Sequence, residues 1–245
     1  IVKPGLWSRK LRIRFSNVLG DKPLTLDGVY SGVHASGGTI LAGTNRAVKF
    51  HGGKESVTLA PGELIFSDPV EMPKTGDLTD RRLAVSFHVV GNSGALTCHA
   101  KSLTTSYLSA SHGGSHGSEE GADAFPFTTT SWFVVDAVEA MAPASTRVVM
   151  GFGDSITDGT ASTINGDDRW PDFLTYRLRA AKMPNVVVVN AGIGGNRVVS
   201  PEKYDKTKPI AGGPSALERL ERDVLSLSGI TTVVWLEGIN DLGAN

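Results

Sequence analysis

The sequence predicts an α/β protein whose parallel sheet is preceded by an antiparallel β-sandwich. Three observations carry this. Residues 1–142 consist of short alternating runs broken by Gly, Pro, Asn and Asp at short intervals, the pattern of an antiparallel sandwich or barrel. After "APAST" (142–146) the strands lose their polar alternation, as happens when both faces of a sheet are covered. From there the order is strand, helix, strand, helix, strand, which calls for parallel pairing with right-handed crossovers. The expected division is a jelly-roll-like β-sandwich over 1–142 and an α/β domain over 146–245.

In the first part, "LRIRFSN" (11–17), "VTLAPG" (57–62) and "RLAVSFHVV" (82–90) read as strands. Ile13 and Phe15 alternate with Arg12 and Arg14, so one face is expected buried and the other wet. "SASHGGSHGSEEGADA" (109–124) has almost no apolar residues and is expected to form a long mobile loop. In the second part, "RVVMGF" (147–152) is a buried strand. "WPDFLTYRLRAAK" (170–182) is a helix with Pro171 in its first turn and Phe173, Leu174, Leu178 and Ala181 at helical spacing. "NVVVVN" (185–190) is the second buried strand. "SALERLERDVLSLSG" (215–229) is a helix with Leu217, Leu220, Val224 and Leu227 on its inner side, and "TTVVWLEG" (231–238) is the third strand.

Composition narrows the partners. Lys+Arg number 24 against Asp+Glu 25, so there is no basic surplus of the kind that holds nucleic acid. The lone Cys98 cannot form an internal disulfide. No apolar run approaches the ~18 residues of a membrane-spanning helix. The sequence opens on Ile1 rather than Met, so any signal peptide lies outside what can be read from it.

Each strand of the second part ends in a polar or glycine-rich cluster: Gly153-Asp154-Ser155, "NAGIGGN" (190–196) and "GIND" (238–241). In an open parallel sheet, ligand-binding residues gather outside the carboxyl ends of the strands, where strand order reverses. An order of 2-1-3 would put Ser155 in the centre. The set suits acyl transfer, which needs a nucleophile and donors aimed at the developing oxyanion. Ser155 is the candidate nucleophile. The backbone N–H groups of Ser155 and Gly195, with the side-chain amide of Asn240, are the candidate oxyanion donors, and Asp154 the residue that orders the turn. A dinucleotide fingerprint is excluded because Ile156 stands where its third glycine belongs, and a phosphate loop because no lysine follows Gly159. The H-x-x-x-H spacing of His112 and His116 would suit a metal only on a helix, which the glycines at 113, 114 and 117 oppose.

These residues resemble a known family. "GFGDSITDG" is similar to block I of the GDSL or SGNH hydrolases, "NAGIGGN" to block II and "GIND" to block III; "DRWPDFL" (168–174) resembles the stretch after block I in bacterial lipase/acylhydrolase members. The β-rich first part, including "LRIRFSNVLGDKPLTLDGV" (11–29), resembles the sandwich domain some of those members carry. The resemblance implies a three-layer, flavodoxin-like sheet, catalytic Ser155, and an oxyanion hole from the Ser155 and Gly195 backbone and the Asn240 side chain. It also implies ester hydrolysis with no metal or cofactor and, since many relatives of this type are secreted, a secreted or periplasmic location. Acetylated glycans, short aryl esters and lysophospholipids are all open as substrates.

The family's general base is a histidine in a D-x-x-H block downstream of block III. Here only four residues follow Asp241, and the six histidines (34, 51, 88, 99, 112 and 116) lie upstream. Three accounts are open: a further C-terminal segment carrying Asp and His, missing through truncation or a nick; His112 or His116 as substitute base; or a non-catalytic ester- or glycan-binding protein that retains the pocket. "VVWL" (233–236), apolar on both faces, favours the first, because such a strand is built to be interior.

Overall fold

The computed structural model describes residues 1–243; the last two positions of the expected α/β domain, Ala244 and Asn245, lie outside the described residues. The chain divides into two compact units, one comprising Ile1–Ala100 with Thr104–Ala142, the other Lys101–Leu103 with Pro143 onward.

The first unit is an antiparallel sandwich. One sheet runs Val135–Ala140, Lys10–Ser16, Leu64–Phe66, with Val70–Glu71 also paired to Lys10–Ser16. The other is built on the long strand Leu24–Ser36, which pairs with Leu83–Val90 and three short strands. Ile13 and Phe15 from the first sheet and Leu24, Leu26, Val33 and Leu83 from the second are fully buried in one core. Phe15 stacks edge-on against Phe50 (5.5 Å) and Phe87 (6.4 Å). Each such side chain contributes roughly 1.5–3 kcal/mol of burial, before the entropy of ordering it is charged against it.

Two features differ from the sequence expectation. The outer face of Lys10–Ser16 is not uniformly wet: Arg14 is only 3% exposed, its Nε donating to Asp136 Oδ1 at 2.8 Å. Asp136 on the neighbouring strand and the Phe66 ring cover it, so the arginine is buried with a partner. The 109–124 segment forms no strand or helix, yet it is tied down. The Gly43 N–H donates to Glu120 Oε1 (2.8 Å), the Ile40 N–H to the Glu120 carbonyl (2.8 Å), and Asn45 Nδ2 to the Gly117 carbonyl (2.9 Å). Gly117 lies so close to the long strand that a Cβ there would sit 2.1 Å from the Gly28 carbonyl oxygen.

The second unit holds a parallel sheet of β1 (Arg147–Gly153), β2 (Val186–Gly192) and β3 (Ile230–Leu236), in the order β2-β1-β3. Helix α1 (Ser155–Asp158) follows β1 directly, α2 (Trp170–Ala180) leads toward β2, α3 (Ala216–Leu220) toward β3, and α4 (Ile239–Leu242) follows β3. Pro171 occupies the first turn of α2, where its missing N–H costs nothing, and Asp172 accepts the Arg169 N–H at 3.1 Å. Ser215 caps α3, accepting the Glu218 N–H. The helix expected over 215–229 changes character at Glu221, where a π-helical turn runs to Leu225. Its buried side also differs: Ala216, Arg219 and Val224 face the core with Met150 and Phe152, while Leu217 is 56% exposed.

The third strand departs most from a buried reading. Among the described residues β3 pairs with β1 alone, and Val233, Val234, Trp235 and Leu236 are each about two-fifths exposed. Trp235 still packs edge-on against Phe152 at 5.1 Å. The composition is that of an interior strand, and among the described residues it forms an edge.

The tethered 109–124 segment yields a stability prediction. Gly117→Ala pushes a methyl into strand backbone that cannot move aside, and should destabilise the first unit by roughly 1–3 kcal/mol. Gly121→Ala, in the same segment but with open space around it, should be near neutral. Thermal unfolding of the two variants checks this; equal midpoints would mean that the segment is not held against the strand.

Candidate active site

The site is built where the three strands of the second unit end. β1 is apolar until Gly153, after which Asp154 turns the chain by capping α1: its Oδ1 accepts the Ile156 N–H at 3.0 Å, and its carbonyl accepts from Thr157 and Asp158. Ser155 is the first residue of this single turn, so its N–H is a donor that the helix cannot satisfy internally. Asp154 is 1% exposed, and its Oδ2 has no hydrogen-bond partner among the described residues. The carbonyls at the far end of the turn are claimed by Asn190 Nδ2, which donates to the Thr157 carbonyl (2.7 Å), and Arg169 Nε, which donates to that of Asp158 (2.9 Å). Arg169 therefore caps α1.

The end of β1 is pressed against the end of β3, and the turn against the end of β2. A Cβ on Gly153 would lie 2.1 Å from the Leu236 carbonyl oxygen, and one on Gly192 would lie 2.2 Å from the Asp158 nitrogen. Both obstacles are backbone, so glycine is required at both strand ends.

The loop after β2 lies beside Ser155. The Cβ position at Gly194 is 3.9 Å from Ser155 Cβ, and the Gly194 N–H donates to Asp158 Oδ2 at 2.9 Å. Residues 193–196 form a turn closed by the Asn196 N–H on the Ile193 carbonyl (3.0 Å), with Gly195 at φ +81. This is the third position of a type II turn, which disfavours any residue with a Cβ. Asn196 is 1% exposed and fully engaged: its Nδ2 donates to the carbonyls of Gly212 and Pro214 (2.7 Å each), and its Oδ1 accepts from Arg219 Nε (2.7 Å).

Asn240, on α4, grips the same loop. Its Nδ2 donates to the Asn196 carbonyl at 2.8 Å, while the neighbouring Asp241 carboxylate accepts the N–H groups of Val198 (3.0 and 3.1 Å) and Val199. The structure thus brings Ser155 beside the Gly194–Gly195 loop and that loop against Asn240. Asp154 lies beneath the turn with its carboxylate in the cap. His112 and His116 belong to the first unit. His116 is engaged within its own loop by Glu119 and the Gly113 carbonyl, and the bond to Glu119 raises its pKa. Among the described residues no group of three or more His, Cys, Asp or Glu side chains is placed to hold a metal.

Four residues escaped the sequence reading: Asp158, Asn196, Arg219 and Glu237. Burial raises the Glu237 pKa, and its Oε2 accepts the Trp235 indole N–H at 3.1 Å. Arg219 is fully buried, with its guanidinium 4.0 Å above the Phe152 ring. Burial lowers its pKa, against the opposing pull of Asp223. The sequence held no signal for Arg219, which lies off the Leu217–Leu220–Val224–Leu227 stripe and reads as a solvated charge.

Comparison with known proteins bears on the same stretch. The GDSL-like Lipase/Acylhydrolase family matches residues 152–245. No curated protein matches the chain. Among solved structures, AlinE4, an SGNH-hydrolase family esterase, is similar over 43% of this chain and 46% of its own, at 24% identity and a TM-score of 0.31. A variant of that esterase with a substituted aspartate matches at the same values, and one with a substituted serine at 25% identity and a TM-score of 0.30. The chain spans less than half the length of that esterase. The stretch from Phe152 onward, with the GDS turn, the glycine loop and the Asn-Asp pair in order, is thus similar to the GDSL-like Lipase/Acylhydrolase family.

Proposed function

We propose that the protein is a serine ester hydrolase that works through an acyl-enzyme at Ser155. The observation that carries this is the convergence of Ser155, the Gly194–Gly195 loop and Asn240 at the carboxyl ends of three parallel strands in the order β2-β1-β3. Ser155 Oγ attacks the ester carbonyl, whose oxygen becomes the oxyanion of a tetrahedral intermediate. The N–H groups of Ser155 and Gly195 and the Asn240 amide stabilise it. Asn240 spends one N–H on Asn196 and keeps the other for substrate. Collapse of the intermediate expels the alcohol and leaves the acyl group on Ser155; water then releases the acid. The substrate class is carboxylic esters, with acylhydrolase or carbohydrate acetylesterase activity the narrower reading. The strand order and crossovers support extending the fold to a three-layer, flavodoxin-like sheet.

The base in this scheme is a histidine oriented by an aspartate, carried by a segment that adds a parallel strand along β3. The exposed Val-Val-Trp-Leu edge supports that addition, since such an edge is normally covered.

Three outcomes test the reading on the active protein. Ser155→Ala should remove nearly all turnover and all fluorophosphonate labelling, leaving only the residual rate owed to binding and the oxyanion hole. Turnover that survives the substitution would sink the serine mechanism and favour a binding protein with contaminating activity. Asn240→Ala should lower kcat by about 10²–10³-fold with KM much less affected. Loss of thermal stability at unchanged kcat would reduce Asn240 to a loop clamp. Val234→Lys places a charge on the open edge of β3 without touching the Trp235–Phe152 contact. If a strand covers that edge in the active protein, this variant loses activity or stability; if the edge stays free, both are unchanged.

A further inference from the structure

Within the ester-hydrolase reading, we infer that Arg219 is a positioning residue that sets the spacing between the nucleophile turn and the oxyanion loop. Its guanidinium bridges the ends of β1 and β2. Nη2 donates to the Gly153 carbonyl (3.0 Å), two residues before Ser155, and Nη1 donates to the Ala191 carbonyl (2.8 Å) at the end of β2. Nε donates to Asn196 Oδ1 (2.7 Å), next in the chain to Gly195. The Phe152 ring fixes the plane of the fork from below, and Asp223 accepts a further bond from Nη1 at 3.2 Å. One rigid, planar group therefore touches backbone or side chain adjacent to both halves of the candidate site.

The physical case rests on what this arrangement costs and what it specifies. Taking a guanidinium fully out of water is expensive, and a well-packed apolar side chain of similar volume often serves stability as well or better. What an apolar residue cannot do is bind two carbonyls and an amide oxygen at fixed angles. The Asn196 carbonyl also receives Asn240, so the frame set by Arg219 passes through Asn196 to the third oxyanion donor as well. Arg219 touches no reacting atom; it acts through Gly153, Asn196 and Asn240. A displacement of these donors by about 1 Å is enough to cost on the order of 10²-fold in rate.

The test compares the active protein with R219M and R219K. Hydrogen exchange is followed in segments 192–199 and 238–242 against the first unit, and kcat and KM are measured on a short p-nitrophenyl ester. In R219M, exchange in 192–199 should speed up at least about tenfold while the first unit is unchanged, and kcat should fall about 10²-fold with KM within about threefold. R219K keeps the charge and stem but cannot hold all three oxygens in one plane, so it should fall between the two; it decides the matter if R219M does not fold. Unchanged exchange in 192–199, a loss confined to KM, or a lowered Tm with kcat intact would each overturn the positioning role. A parent protein without ester turnover would overturn the hydrolase reading instead, and the exchange measurements would still decide whether Arg219 holds the loop.

Discussion

Backbone packed on backbone at the ends of β1 and β2 is the constraint on which the rest of the site depends. A Cβ on Gly153 would run into the Leu236 carbonyl at the end of β3, and one on Gly192 into the Asp158 nitrogen of the α1 turn. Side chains can change rotamer to relieve a contact of this kind; peptide groups cannot. Ser155 is thus placed by the sheet itself, with little room to drift. The turn ends after four residues at Gly159, which takes the left-handed conformation, and its terminal carbonyls are claimed by Asn190 and Arg169.

Around that fixed point lies a polar lattice with few loose ends. Asn196 uses both amide hydrogens, its side-chain oxygen and its carbonyl, and its partners come from the 212–214 loop, α3 and α4. Groups satisfied in this way inside a low-dielectric interior stiffen one another, and removing one member strands the others. One carboxylate oxygen each of Asp154 and Glu237, without a hydrogen-bond partner among the described residues, stands apart from this lattice near the end of β3.

The sequence showed the elements more clearly than their surroundings. The strands of the second unit follow from runs with no polar alternation, and Ser155, Gly195 and Asn240 from clusters at their ends. Periodicity rightly put Leu220, Val224 and Leu227 on the core side of the 215–229 segment, but it also put Leu217 inside and could not anticipate a buried arginine with four bonded partners. It failed likewise at Arg14, whose cover comes from Asp136, more than a hundred residues away. A paired charge reads as solvent-facing until its partner is known. Asp158 was hidden for the same reason, since its bond to the Gly194 N–H joins residues from different strand ends.

The open side of β3 has a consequence for handling the chain in solution. Its edge presents valines, tryptophan and leucine with no further strand paired to it among the described residues, and the chain carries a formal charge of only −1. Colloidal repulsion between copies is then weak near neutral pH, close to the isoelectric point of about 6.7. Strand-to-strand association between copies would be held back by little, and would grow with concentration and fall as the pH moves away from that point.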